Sequence, residues 1–117
     1  MPKKILLVDD DESMLSLYSR IFTDTDYELS MLDTFKAAAA RLEAEDFDLL
    51  ITDYMFPDGL GTDLIKLFSR RKAGAKSLLV SGSVAEPQAG KYEGMVGYFS
   101  KPFHVQNFLK AVAQALA

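Results

Sequence analysis

"FDLLITD", Phe47 to Asp53, carries the strongest statement about architecture in this chain. Leu49, Leu50 and Ile51 follow one another without a polar break, and neighbouring side chains on a strand point to opposite faces, so both faces are apolar. Such a strand belongs inside a parallel sheet with helices packed on both sides. It ends on a carboxylate. The pattern recurs upstream in "ILLVDDDES", residues 5 to 13, where four apolar residues run into four consecutive acids. Two carboxylates about 5 Å apart, at an effective dielectric of about 20, repel by roughly 3 kcal/mol. A divalent cation is the obvious compensation.

Outward from these two stretches, short apolar runs alternate with segments of helical period, which is the pattern of repeated βα units. Strands are expected at Lys4 to Asp9, Tyr27 to Leu32, Phe47 to Asp53, in "KSLLVSG" ending at Ser81, and in "MVGYFSK" ending near Lys101. The second alternates and suits a sheet edge. Helical stripes are Met14, Leu17, Tyr18 and Ile21; Phe35, Ala38, Ala39 and Leu42; Leu60, Leu64, Leu67 and Phe68; and Val105, Phe108, Leu109, Val112 and Leu116. Asp33 or Thr34 is the expected N-cap of the second stripe, and Gly74 the stop after the third. Right-handed crossovers wind five such strands into a doubly wound α/β sheet of order 2-1-3-4-5, a flavodoxin-like fold, with the ligand edge at the carboxyl ends of the strands. Asp9, Asp10, Asp53, Ser81 and Lys101 all fall on that edge.

The chain has 117 residues, 49% hydrophobic and 26% charged, which fits one globular domain over residues 1–117. It has no cysteine, so disulfides, thiolate metal sites and a cysteine nucleophile are excluded. No export signal or membrane-length apolar run is visible, and a cytoplasmic location is expected. The net charge is −4 and the basic residues form no stripe, which argues against direct nucleic-acid binding by this segment.

Carboxylates from two strand ends make a hard-oxygen site that suits magnesium, an ion that takes one or two carboxylates together with waters and phosphate oxygens. Asp53 could then attack a phosphoryl group to form an acyl phosphate, with Lys101 and the Ser81 hydroxyl balancing charge on the oxygens in transit. "KILLVDDDES", "LLITDYMFPDGLG", "LLVSGS" and "GYFSKPF" resemble, in order and over essentially the whole chain, the signature segments of the response-regulator receiver domain. The resemblance implies that Asp9 and Asp10 are the acidic pair for magnesium, with Asp10 the more direct ligand. It further implies Asp53 as phosphoacceptor and metal ligand, the backbone carbonyl of Met55 as a further ligand, Ser81 as the sensing hydroxyl, and Lys101 as the ion-pair partner of the phosphoryl group. Tyr98 falls where the family places a switching aromatic, although core packing explains an aromatic in a strand equally well. A cis bond before Pro102 is likewise implied. The partners implied are a histidine kinase or phosphotransfer protein as donor and an output protein or fused effector domain. Such a protein catalyses only its own phosphorylation and dephosphorylation, without turnover of an external substrate.

Plainer roles are expected elsewhere. Asp11 reads as a helix cap, Glu12 as first-turn charge, His104 as a surface residue, and Pro57 and Gly59 as turn residues. A haloacid-dehalogenase-like phosphatase using Asp9 and Asp11 is an alternative, but it leaves Asp53 without a role and lacks an acidic pair after Lys101. A flavodoxin would need a Ser/Thr/Gly-rich first loop, and this loop is acidic. A phosphorylation-independent interaction module of the same fold would normally lack the acceptor or its lysine, and both are present. Finally, "GSVAEPQAGKYEGMVG" holds four of the seven glycines and one of the four prolines. Interior glycine costs about 1 kcal/mol and proline about 3, so the fourth helix is expected to be short or irregular, around Gln88 to Glu93.

Overall fold

The computed structural model describes residues 2–82 and 92–117. Five parallel strands form the main sheet: β1 (Lys4–Val8), β2 (Glu28–Leu32), β3 (Leu49–Asp53), β6 (Ser77–Ser81) and β7 (Met95–Ser100), in the order β2-β1-β3-β6-β7. This is the expected doubly wound order, with the alternating second strand at an edge. Between β3 and β6 lies a feature the periodicity did not announce, a two-stranded antiparallel ribbon of β4 (Met55–Phe56) and β5 (Gly59–Leu60). Pro57 and Asp58 form its tip. Leu60, expected on the third helical stripe, therefore belongs to the ribbon and stands as the N-cap residue of α3 (Gly61–Arg71), 38% exposed.

The other described helices are α1 (Glu12–Ile21), α2 (Phe35–Ala44) and α4 (Val105–Leu116). Asp11 caps α1, its carboxylate accepting from the Ser13 N–H at 2.9 Å. Thr34, rather than Asp33, caps α2 through the Ala37 N–H. Gly74 has φ 75°, the left-handed conformation that stops the chain after α3. The residues on which the short fourth helix was expected lie largely outside the described ones; Tyr92 to Gly94, at its end, make a turn into β7.

Sheet residues alternate between two apolar layers. Leu6, Val8, Leu50 and Leu79 pack with α2 and α3, whereas Ile5, Leu7, Leu49, Ile51, Leu78 and Val80 pack with α1 and α4. Tyr18, Phe22, Phe99, Phe103 and Phe108 form a connected aromatic group in the second layer. A bulge interrupts the last ladder: Ser77 pairs with Met95 but Leu78 with Gly97, so Val96 is an extra residue and is 52% exposed. One inserted residue reverses the face of everything after it. Tyr98 consequently lies in the α2/α3 layer with Met95, and Phe99 in the α1/α4 layer.

Candidate functional site

Because β1 and β3 are central neighbours that end level with one another, their terminal acids meet. Carboxylate oxygens of Asp9, Asp10 and Asp53 lie within 4.8 Å of one another. Asp9 is fully buried and held at both oxygens, by the Asp11 N–H at 2.9 Å and by the Lys101 ammonium at 2.8 Å. Lys101 arrives from the end of β7, 92 positions away, where its N–H donates to the Ser81 carbonyl at 2.9 Å. Its ammonium also lies 3.6 Å from Asp53. The peptide bond between Lys101 and Pro102 is cis. Asp53 accepts from the Tyr54 N–H at 2.8 Å, and its side chain is 12% exposed. Asp10 is exposed.

Among the described residues, three acids around Lys101 leave the site overcharged. Burial, and then the charge of Asp9, push the Asp53 carboxyl up to about 6, against the opposing pull of Lys101 and the Tyr54 N–H. Burial also raises Asp9, although its bonds to Lys101 and Asp11 resist. For Lys101, burial disfavours the charge but is outweighed by the hydrogen bond to Asp9 and the two carboxylates, so its pKa rises and it remains a cation. A cluster of hard oxygens with unspent negative charge fits a magnesium ion.

The remaining expected residues are placed less directly. Ser81 is buried at the end of β6, next to the strand of Asp53. Met55 opens the ribbon immediately beyond the site, 56% exposed. The Tyr98 hydroxyl is buried and has no hydrogen-bond partner among the described residues. His104 is exposed at the N-cap of α4. Asp11, the second acid of the dehalogenase-like alternative, is committed to capping α1 and stands outside the acidic cluster.

Three supporting residues escaped the sequence reading. Thr52 is buried, and its hydroxyl donates to the Asp53 carbonyl at 2.9 Å. Gly61 packs its Cα against that same carbonyl and donates its N–H to the Tyr54 carbonyl at 2.6 Å. Asp58 accepts from the N–H groups of Phe35 and Lys36 at 3.2 and 3.1 Å. A polar residue set between the apolar run and Asp53 could have drawn attention to Thr52, and the repeated glycine of "GLG" to Gly61. No local signal identifies Asp58, because its partners lie 22 and 23 positions away at the start of α2.

A doubly wound sheet with an acid cluster and a lysine at its carboxyl edge defines the class of phosphoacceptor modules. The family model of the response regulator receiver domain matches residues 5–113, and the chain belongs to that family. It is a receiver domain of two-component signal transduction. The response regulator receiver protein CpdR of Brucella abortus (strain 2308) is 27% identical over 116 residues, covering 97% of both chains. The putative two-component response regulator ARR21 of Arabidopsis thaliana is 27% identical over 115 residues, but the chain spans only 19% of that protein's length. A solved structure of a CheY-like receiver domain protein from Methanospirillum hungatei JF-1 superposes with a TM-score of 0.88 at 28% identity, covering 99% of this chain and 94% of that one.

Proposed function

We propose that residues 1–117 act as one magnesium-dependent receiver domain in which Asp53 accepts a phosphoryl group from a histidine kinase or phosphotransfer protein. The observation that carries this reading is the meeting of Asp9, Asp10 and Asp53 within 4.8 Å, with Lys101 reaching both Asp9 and Asp53. A carboxyl at about 6 is mostly ionised at neutral pH, so Asp53 is available as a nucleophile. Its oxygen bonds to phosphorus as the bond from phosphorus to the donor's imidazole nitrogen breaks. Asp9, Asp10, Asp53 and the Met55 carbonyl would hold magnesium, which when bound neutralises charge on the phosphoryl oxygens. Lys101 supplies the second positive charge, and the Ser81 hydroxyl turns to donate to a phosphoryl oxygen. Tyr98, whose hydroxyl is buried without a hydrogen-bond partner among the described residues, is the candidate to change position in response. An apolar recess of Met14, Leu17, Pro102 and Phe103 beside Lys101 offers the donor a surface next to the acceptor. No helix among the described residues is long and apolar enough to cross a membrane, and a cytoplasmic location agrees with an intracellular donor.

Incubation with acetyl phosphate and magnesium is expected to add one phosphoryl group, read by intact mass, and EDTA or Asp53→Asn is expected to abolish it. Labelling that survives either change overturns the assignment. Asp10→Asn is expected to weaken magnesium binding at least about tenfold while leaving the metal-free fold as stable as before or more so, since it removes a like charge from the cluster. Calorimetric titration and urea denaturation in EDTA measure the two effects. A large loss of metal-free stability would instead make Asp10 a structural residue.

A further inference from the structure

The ribbon that follows the acceptor is fastened at both ends. At its base the Asp53 carboxylate accepts from Tyr54, and the Gly61 N–H closes back onto the Tyr54 carbonyl at 2.6 Å. At its tip the Asp58 carboxylate spans two N–H groups, those of Phe35 and Lys36, at the start of α2. Beside this bracket Gly59 lies on the Phe35 ring so closely that a Cβ would stand 2.5–2.8 Å from three ring carbons. A helix start has free N–H groups and a partial positive charge, so an anionic side chain is well held there. Yet α2 already has a cap of its own in Thr34, which takes the Ala37 N–H. Asp58 therefore satisfies a different pair of donors, and the element it restrains is the ribbon.

We infer that Asp58 is a positioning residue for the metal site: by clamping the ribbon tip to α2 it fixes the backbone of Met55, which pairs with Leu60 across the ribbon. This rests on the proposed role of the Met55 carbonyl as a magnesium ligand. Groups that orient a ligand from outside the coordination sphere contribute to affinity without touching the ion. Coupling of this kind is reciprocal, so a filled site must in turn steady the Asp58 bracket.

The test is magnesium titration by calorimetry on the wild type, Asp58→Ala, Asp58→Asn, Thr34→Ala and Asp10→Asn, with amide exchange followed at Phe35 and Lys36. Asp58→Ala is expected to weaken magnesium about tenfold, at the lower end of what loss of such support costs. Asp58→Asn, which keeps one acceptor oxygen, is expected to fall between it and the wild type. Thr34→Ala removes a cap from the same helix without touching the ribbon, and is expected to lower stability with magnesium affinity unchanged. Magnesium is expected to slow exchange at Phe35 and Lys36 in the wild type and not in Asp58→Ala. If Asp58→Ala keeps wild-type affinity while Asp10→Asn loses it, the positioning role is wrong and the metal site stands. Equal losses in Thr34→Ala and Asp58→Ala also overturn it, since the effect is then general destabilisation of α2. A wild type without magnesium affinity removes the metal reading itself, and this inference with it.

Discussion

Asp53→Asn is expected to make the metal-free protein about 3 kcal/mol more stable than the wild type at pH 7, and no more stable below about pH 4. Asp53 sits near 6 in the fold, raised by burial and by Asp9, against an ordinary carboxyl value of 3.8. Between those values the folded protein binds a proton that the unfolded chain has released, so unfolding stability falls as pH rises. The contribution of a neutral Asp53 is whole below about 4 and is lost by the time pH has passed through 6. Asparagine has nearly the same shape and never ionises, so the variant keeps that contribution throughout. The Asp53 side chain is only 12% exposed, which limits the screening that would shrink the effect. Urea denaturation of both proteins in EDTA across this range measures the difference. A gap that does not change with pH, or none at pH 7, would show that the site tolerates its charge by other means. Saturating magnesium should narrow or reverse the gap, because the cation compensates the carboxylate that asparagine lacks.

Gly61→Ala is expected to destabilise the protein by about 3–4 kcal/mol, beyond the usual range for adding one methyl group to a packed site. The new Cβ would collide with the Asp53 carbonyl oxygen, a backbone atom at the end of a central strand, and would crowd the Thr52 hydroxyl at 3.0 Å. The carbonyl, being backbone, cannot rotate away as a flexible side chain could. Relief requires α3 to shift from β3, which strains the Gly61 to Tyr54 hydrogen bond and displaces the acceptor loop. Gly74→Ala is the informative comparison. Its cost is about 1–2 kcal/mol from the left-handed backbone alone, since nothing lies within 4 Å of a Cβ there. Denaturation midpoints for the two variants should therefore separate clearly. Equal losses would mean that close approach to Asp53 is not what keeps residue 61 a glycine.

The uninterrupted apolar run Leu49–Ile51 was enough to place β3 inside a parallel sheet, because burial on both faces leaves no polar position in the two-residue repeat. The alternation of Glu28–Leu32 was enough to put β2 at an edge. Once the order of strands follows, Asp9, Asp53, Ser81 and Lys101 must share one end of the sheet, since parallel strands finish on the same side. Caps such as Asp11 were legible for the same reason, being contacts between residues two apart. The family resemblance supplied the individual roles, which periodicity alone could not.

What lay beyond the sequence are contacts whose partners are distant and whose geometry depends on how elements meet. Lys101 makes its shorter ion pair with buried Asp9, at 2.8 Å, rather than with the acceptor at 3.6 Å, a preference set by where β7 ends against β1 and β3. Leu60 continues an i, i+4 stripe with Leu64, yet pairing with Met55 holds it in the ribbon. Asp58 looks like a turn residue until α2, 22 and 23 positions earlier, presents its free N–H groups. The face taken by Tyr98 turns on the extra residue at Val96: counted in twos from Met95, Tyr98 would fall on the α1/α4 side, and the bulge against Ser77 and Leu78 returns it to the α2/α3 side. A two-residue repeat fixes sides only while pairing is continuous, and a break in pairing is a property of two strands together.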